Sequence, residues 1–133
     1  MPSKRSYINI GRKIANGLEQ PEIIVIDELP DVERDKHCDV VIKAHIDGTP
    51  IAVFVEITRG GLKITEDKAK IEASVCELWD KLELAPNTLV IPVMHKGRRM
   101  KKGIAKLIKR NKVKKQPIII MGCHEKLRDK ITI

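Results

Sequence analysis

Cys38-Asp-Val-Val-Ile-Lys-Ala-His-Ile46, then Asp47-Gly48, then Ile51-Ala-Val-Phe-Val-Glu-Ile-Thr58 is the stretch whose reading decides the fold. Both outer runs are rich in β-branched residues, and Asp-Gly between two such runs is a strong short-range hairpin signal. Side chains alternate across a strand. Ile51, Val53, Val55 and Ile57 therefore form one aliphatic face, and Ala52, Phe54, Glu56 and Thr58 form the other. With a two-residue Asp47-Gly48 turn, counting outward from Ile46 and Thr49 brings Asp39 directly opposite Glu56. A four-residue turn, Asp47 to Pro50, makes them diagonal neighbours on the same face, whereas an odd-length turn separates them.

Two carboxylates set side by side repel, and a divalent cation between them reverses the sign. Oxygen donors of this kind suit a hard cation, Mg²⁺ or Mn²⁺, which keeps several waters beside one or two carboxylates. Glu56 interrupts an otherwise apolar run, which favours such a role over the alternative of a carboxylate facing solvent at a strand end.

Outward from the hairpin, Ile10, Ile14 and Leu18 at fourfold spacing predict a helix over 6–18, with Pro21 after it. Residues 22–27 predict a buried strand and 29–36 a polar loop. Beyond Gly60-Gly61, Thr65 is placed to cap a helix whose first turn carries Glu66 and Asp67. Ile71, Val75, Leu78 and Leu82 give that helix a core stripe to about residue 83, before Pro86. A strand over 88–94, a basic helix over 98–112 and a last strand over 117–121 follow. Alternating elements after a hairpin predict an α/β domain, a mixed central sheet of about five strands flanked by helices. At 133 residues the chain supports one such domain.

The formal charge is +8, and its distribution is informative. No acidic residue stands between Glu83 and Glu125, while Lys96, Arg98, Arg99, Lys101, Lys102, Lys106, Lys109, Arg110, Lys112, Lys114 and Lys115 all fall there. The rest of the chain has 15 basic against 18 acidic residues, so the whole excess sits in one segment. Such asymmetry predicts a polyanionic partner, because neutralised phosphates release condensed counterions. Phe54 and Trp79 are too isolated to make a base-stacking platform, so contact through backbone and shape is expected. No run approaches the roughly 20 apolar residues of a membrane span and no signal-peptide core follows the N-terminus, which predicts a cytoplasmic protein without membrane contact. Cys38, Cys76 and Cys123 form neither a disulfide framework nor a C-x-x-C pair, and buried free thiols are expected, Cys76 beside Val75 and Trp79 among them. Abundant charge and Ile with few aromatics is a bias seen in hyperthermophiles.

An acidic residue leading an apolar run, a hairpin, then apolar-Glu-apolar-x before a helix resembles the restriction-endonuclease-like PD-(D/E)xK nucleases. The archaeal Holliday-junction resolvases are similar in size and basicity. The resemblance implies an αβββαβ core and a Mg²⁺- or Mn²⁺-dependent nuclease acting on DNA, in a family whose members commonly dimerise. It makes Asp39 the first motif acid, Glu56 the second and the Ile57 carbonyl a further metal ligand. Thr58 stands at the motif lysine, and a hydroxyl orients water without supplying positive charge. Lys43, Lys63 and Lys68 are the candidates to replace it, Lys68 at the helix start being preferred, and Glu19 is a candidate additional acid. His37, expected opposite Thr58, is a candidate proton carrier. Lys96 to Arg110 would then track phosphates, and a site decayed at Thr58 would leave a non-catalytic nucleic-acid-binding protein.

Overall fold

The computed structural model describes residues 4–57 and 64–95. The predicted hairpin forms with a two-residue turn, in which Asp47 and Gly48 take positive φ of 49° and 80°. Two successive left-handed residues make the tight turn whose twist matches that of paired strands. The first strand, β2 (Val40–Ile46), accordingly pairs antiparallel with β3 (Thr49–Ile57) from Ile46↔Thr49 out to Val40↔Val55. An edge strand, β1 (Glu19–Val25), pairs antiparallel with β2, and β4 (Leu89–His95) lies parallel to β3, giving the order β1-β2-β3-β4. A parallel neighbour needs a crossover, and the helix α2 (Ile64–Leu78) supplies it. Residues 51 to 56 of β3 are all buried, since the strand is central in the sheet and both of its faces are covered. Phe54 has no exposed surface, so truncating it to Ala costs roughly 3–5 kcal/mol.

The first helix, α1 (Lys4–Ile14), buries Tyr7, Gly11 and Ile14 at helical spacing. Gly11 allows the approach, since a Cβ there would sit 2.7 Å from Ile23 Cγ2. The helix stops earlier than its spacing predicts because Gly17, at φ 87°, turns the chain out of it. Strand β1 then starts at Glu19 rather than residue 22 and takes in Pro21, which an edge with a register shift between Glu19 and Glu22 tolerates. Its other end gives way to a short 3-10 turn, Ile26–Glu28, and a second, Arg34–Lys36, precedes β2. Helix α2 begins at Ile64, one residue before the expected cap Thr65, and ends at Leu78; the turns beyond it still bury Leu82 and Leu84.

Ile23 pairs with Ile42 and Ile42 with Val53, so α1 covers that face of the sheet. Phe54 and Glu56 alternate to the opposite face, where α2 packs. The result is a mixed α/β arrangement with helices on both sides of a four-stranded sheet. The basic helix over 98–112 and the fifth strand over 117–121 lie outside the described residues. Among the described residues no helix is long and apolar enough to cross a membrane. Cys38 is a buried free thiol as expected, whereas Cys76 is free but exposed, because the phase that buries Val75 turns its neighbour outward. Cys123 lies outside the described residues.

Candidate functional site

The residues leading into β2 are held by three elements at once. The His37 ring donates from Nδ1 to the Glu33 carbonyl at 2.8 Å, and its Nε2 meets Glu77 Oε2 on α2 at 2.6 Å. The Cys38 N–H donates to Ser74 Oγ at 2.8 Å, and that hydroxyl donates to the Lys70 carbonyl at 2.7 Å. Asp39 donates its N–H to the Val55 carbonyl and accepts from the Ile26 N–H, both at 3.0 Å. Its side-chain Oδ2 accepts the Ile57 N–H at 2.8 Å. Main chain and carboxylate of Asp39 are thereby fixed against the turn that follows β1 and against β3.

Glu56 is 4% exposed on β3, and its carboxyl lies beside that of Asp39. Burial first, and then the negative charge of Asp39, push Glu56 from an ordinary 4.5 to about 8, with Lys70 pulling in the opposite direction and Asp67 adding to the rise. Glu56 thus carries the proton at neutral pH while no cation is bound. Its second oxygen, Oε2, is buried and has no hydrogen-bond partner among the described residues. An orphaned acceptor of this kind costs about 1–3 kcal/mol. The Ile57 N–H faces Asp39, and a strand turns the carbonyl of the same residue to the same side.

A divalent cation fits this donor set: two adjacent carboxyls, an acceptor lacking a donor, and a backbone carbonyl close by. Among the described residues no group of three or more His, Cys, Asp and Glu converges on one point. Two carboxylates completed by waters is the arrangement Mg²⁺ adopts.

The chain matches no family model, no curated protein and no solved structure. Function has to be read from the geometry.

Asp39, Glu56 and Ile57 come together as the sequence predicts. Thr58, Lys63 and the run from Lys96 to Arg110, with Arg98, Arg99, Lys101, Lys102, Lys106 and Lys109, lie outside the described residues; of Lys68 only its place in α2 is described. Lys43 shares the Asp39 face but lies about 13 Å along the strand from it. There it pairs with Glu22 and Ala52, and lines a cavity of about 340 Å³ with Gln20, His45, Glu83 and Thr88. Glu19 is corrected outright. It opens β1 instead of ending α1, pairs with His45, and accepts the Asp47 N–H at the far end of the hairpin. His37 turns to α2 rather than across the hairpin, and both its ring nitrogens are engaged.

Sequence reasoning misses Lys70. It sits on a polar stripe of α2, Asp67, Lys70, Ser74 and Glu77 at spacings of three, four and three, beside the apolar stripe of Ile71, Val75 and Leu78. Ser74, fully buried in that stripe, marks the side facing Cys38. The helical spacing is there to be read in the sequence, since residues three and four apart share a face.

Proposed function

We propose that the chain is a metal-dependent phosphodiesterase acting on DNA, with Asp39 and Glu56 holding Mg²⁺ or Mn²⁺ and Lys70 standing in for the absent motif lysine. The observation that carries this reading is the buried Glu56 carboxyl, set beside Asp39 and with one oxygen that has no partner among the described residues. Such a pair serves stability poorly, since hydrophobic residues of similar volume in place of buried charges are often neutral or stabilising.

A bound divalent cation would polarise the scissile phosphate and lower the pKa of an attacking water. Asp39, pinned by the Ile57 N–H, presents its carboxylate without reorganisation. Glu56 would hold such a cation as a carboxylate, after losing its proton to solvent. Lys70 favours the charged form of Glu56, and its positive charge would offset the negative charge that develops on the phosphate. The basic segment 96–115 would hold the DNA backbone. Thr58, uncharged at the motif position, favours a second reading, a nucleic-acid-binding protein that no longer cleaves.

Cleavage of supercoiled, linear and branched DNA, with RNA alongside, tests the proposal in Mg²⁺ or Mn²⁺. Wild type is expected to cut at least one DNA form, Glu56→Ala to be inactive, and Lys70→Met to lose about a hundred- to a thousandfold. Cleavage undiminished in Glu56→Ala sinks the assignment. DNA binding without cleavage selects the second reading.

A further inference from the structure

Among the described residues, positive charge is concentrated in one place. The described residues carry ten Lys and Arg against sixteen Asp and Glu, and four of the ten lie in α1, which has no acid. Lys4, Arg5, Asn9, Arg12 and Lys13 are exposed, as is Asn16 just beyond the helix. Arg5, Asn9, Arg12 and Asn16 recur at spacings of four, three and four, a single stripe about 16 Å long.

Most other cations of the described residues have a local counterpart. Arg34 meets Asp27 and the Tyr7 hydroxyl, Lys36 meets Glu33, Lys81 meets the Pro30 carbonyl, and Lys70 faces Glu56. Within α1, Lys4 pairs with Glu28. Arg5, Arg12 and Lys13 make no ion pair among the described residues. Helix electrostatics accounts for only part of the pattern. Arg12 and Lys13 in the last turn suit the negative end of the dipole, but Lys4 and Arg5 occupy the first turn, where cations are disfavoured.

We propose that the exposed face of α1 is a second contact for the phosphate backbone of duplex DNA, with Arg5, Arg12 and Lys13 making the charged contacts and Asn9 and Asn16 hydrogen bonds between them. This rests on the nucleic-acid reading above and adds a surface to it. The apolar side of α1 is committed to the sheet at Tyr7, Gly11 and Ile14, so no apolar face remains to enter a bilayer. Position favours DNA as well. Lys4 reaches Glu28 and Tyr7 meets Arg34, five residues before Asp39, while the Ile26 N–H holds the Asp39 carbonyl. The N-terminal turn of α1 is therefore at the end of the sheet where Asp39 and Glu56 lie. A duplex lying across that end of the sheet would meet α1 on one side and the carboxyl pair on the other.

The test is duplex binding by the full chain in EDTA, over a salt series, for wild type, the triple variant Arg5→Gln/Arg12→Gln/Lys13→Gln, and the charge-preserving Arg5→Lys/Arg12→Lys. The slope of log Kobs on log[salt] is expected to fall in magnitude by about 2 to 3 in the triple variant, at about 0.9 for each phosphate no longer neutralised. Binding should weaken at least about tenfold and the circular dichroism spectrum stay unchanged, while the lysine variant keeps the wild-type slope. A triple variant with wild-type slope and affinity overturns this inference alone and leaves the nucleic-acid reading standing. Wild type that binds no duplex at low salt overturns both. Wild type that binds poly-glutamate as tightly as duplex makes the face a site for acidic proteins and overturns the assignment to DNA.

Discussion

The two ends of the central hairpin hold carboxylates in opposite circumstances. At the turn, Glu19 reaches across from β1 to take the Asp47 N–H at 2.7 Å, exposed to water. At the open end, Glu56 is buried beside Asp39, with one oxygen unsatisfied among the described residues. The strand pairing is regular between them. What differs is the neighbourhood: β4 runs beside β3 through Glu56, and α2 closes over that end, whereas Glu19 lies on the sheet edge. A carboxylate at the turn stabilises a turn. One at the other end is held where folding alone gains nothing from it, as expected of a functional site.

The sharpest way to break this comparison is to neutralise each carboxyl and assay cleavage. Glu56→Gln is expected to remove activity by about a thousandfold or more, and Glu19→Gln to leave it within about twofold. Equal losses would erase the distinction between the ends.

Cation binding gives the next largest effect. Thermal unfolding in Mn²⁺ should show stabilisation of about 2.7 kcal/mol at a hundredfold excess over Kd. Asp39→Asn should abolish that shift and leave the metal-free protein close to wild type in stability, because Glu56 is already uncharged there and an amide oxygen can still accept the Ile57 N–H. A Mn²⁺ shift that survives in Asp39→Asn places the cation elsewhere.

Much of this end is legible in the sequence for one physical reason. A two-residue Asp-Gly turn fixes register, and register fixes which side chains share a face, so Asp39 and Glu56 can be paired by counting. Lys70 cannot be placed by counting. It belongs to the crossover helix, whose rotation over the sheet is set by tertiary hydrogen bonds, Cys38 to Ser74 and His37 to Glu77. Nearness to Glu56 along the chain points instead to Lys63 and Lys68. Glu19 is misplaced by its spacing because Gly17 ends α1 early, and a shift of a few residues at a helix terminus sends a side chain to the other end of an antiparallel sheet.

The pH dependence of metal-free stability sharpens the contrast further. Glu56 has its folded pKa raised to about 8 from 4.5, so above pH 4.5 the folded state keeps a proton that the unfolded state releases. Stability should therefore fall as pH rises from about 4.5 to 8 and level off beyond. Urea unfolding in EDTA across that range reads the slope directly. Glu56→Gln should flatten it, and a wild-type profile that rises through the window contradicts a protonated, buried Glu56.

The smallest expected effect belongs to the turn. Glu19 accepts one N–H in an exposed setting, where water competes for both partners, so the bond is worth about 0.5–1.5 kcal/mol at most. Glu19→Gln keeps an oxygen acceptor and loses only the charge, which should cost less than about 0.5 kcal/mol. Glu19→Ala removes the acceptor but leaves the Asp47 N–H free to bond water, since that residue is exposed, so the loss should stay near the low end. Neither change should alter the Mn²⁺ shift or the slope with pH, because the far end of the hairpin does not feel the substitution. The double variant Glu19→Gln/Glu56→Gln makes this quantitative: effects of distant, independent sites add within about 0.5 kcal/mol. A larger coupling would mean that the turn and the carboxyl pair communicate along β2 and β3, and the two ends would no longer be separate devices.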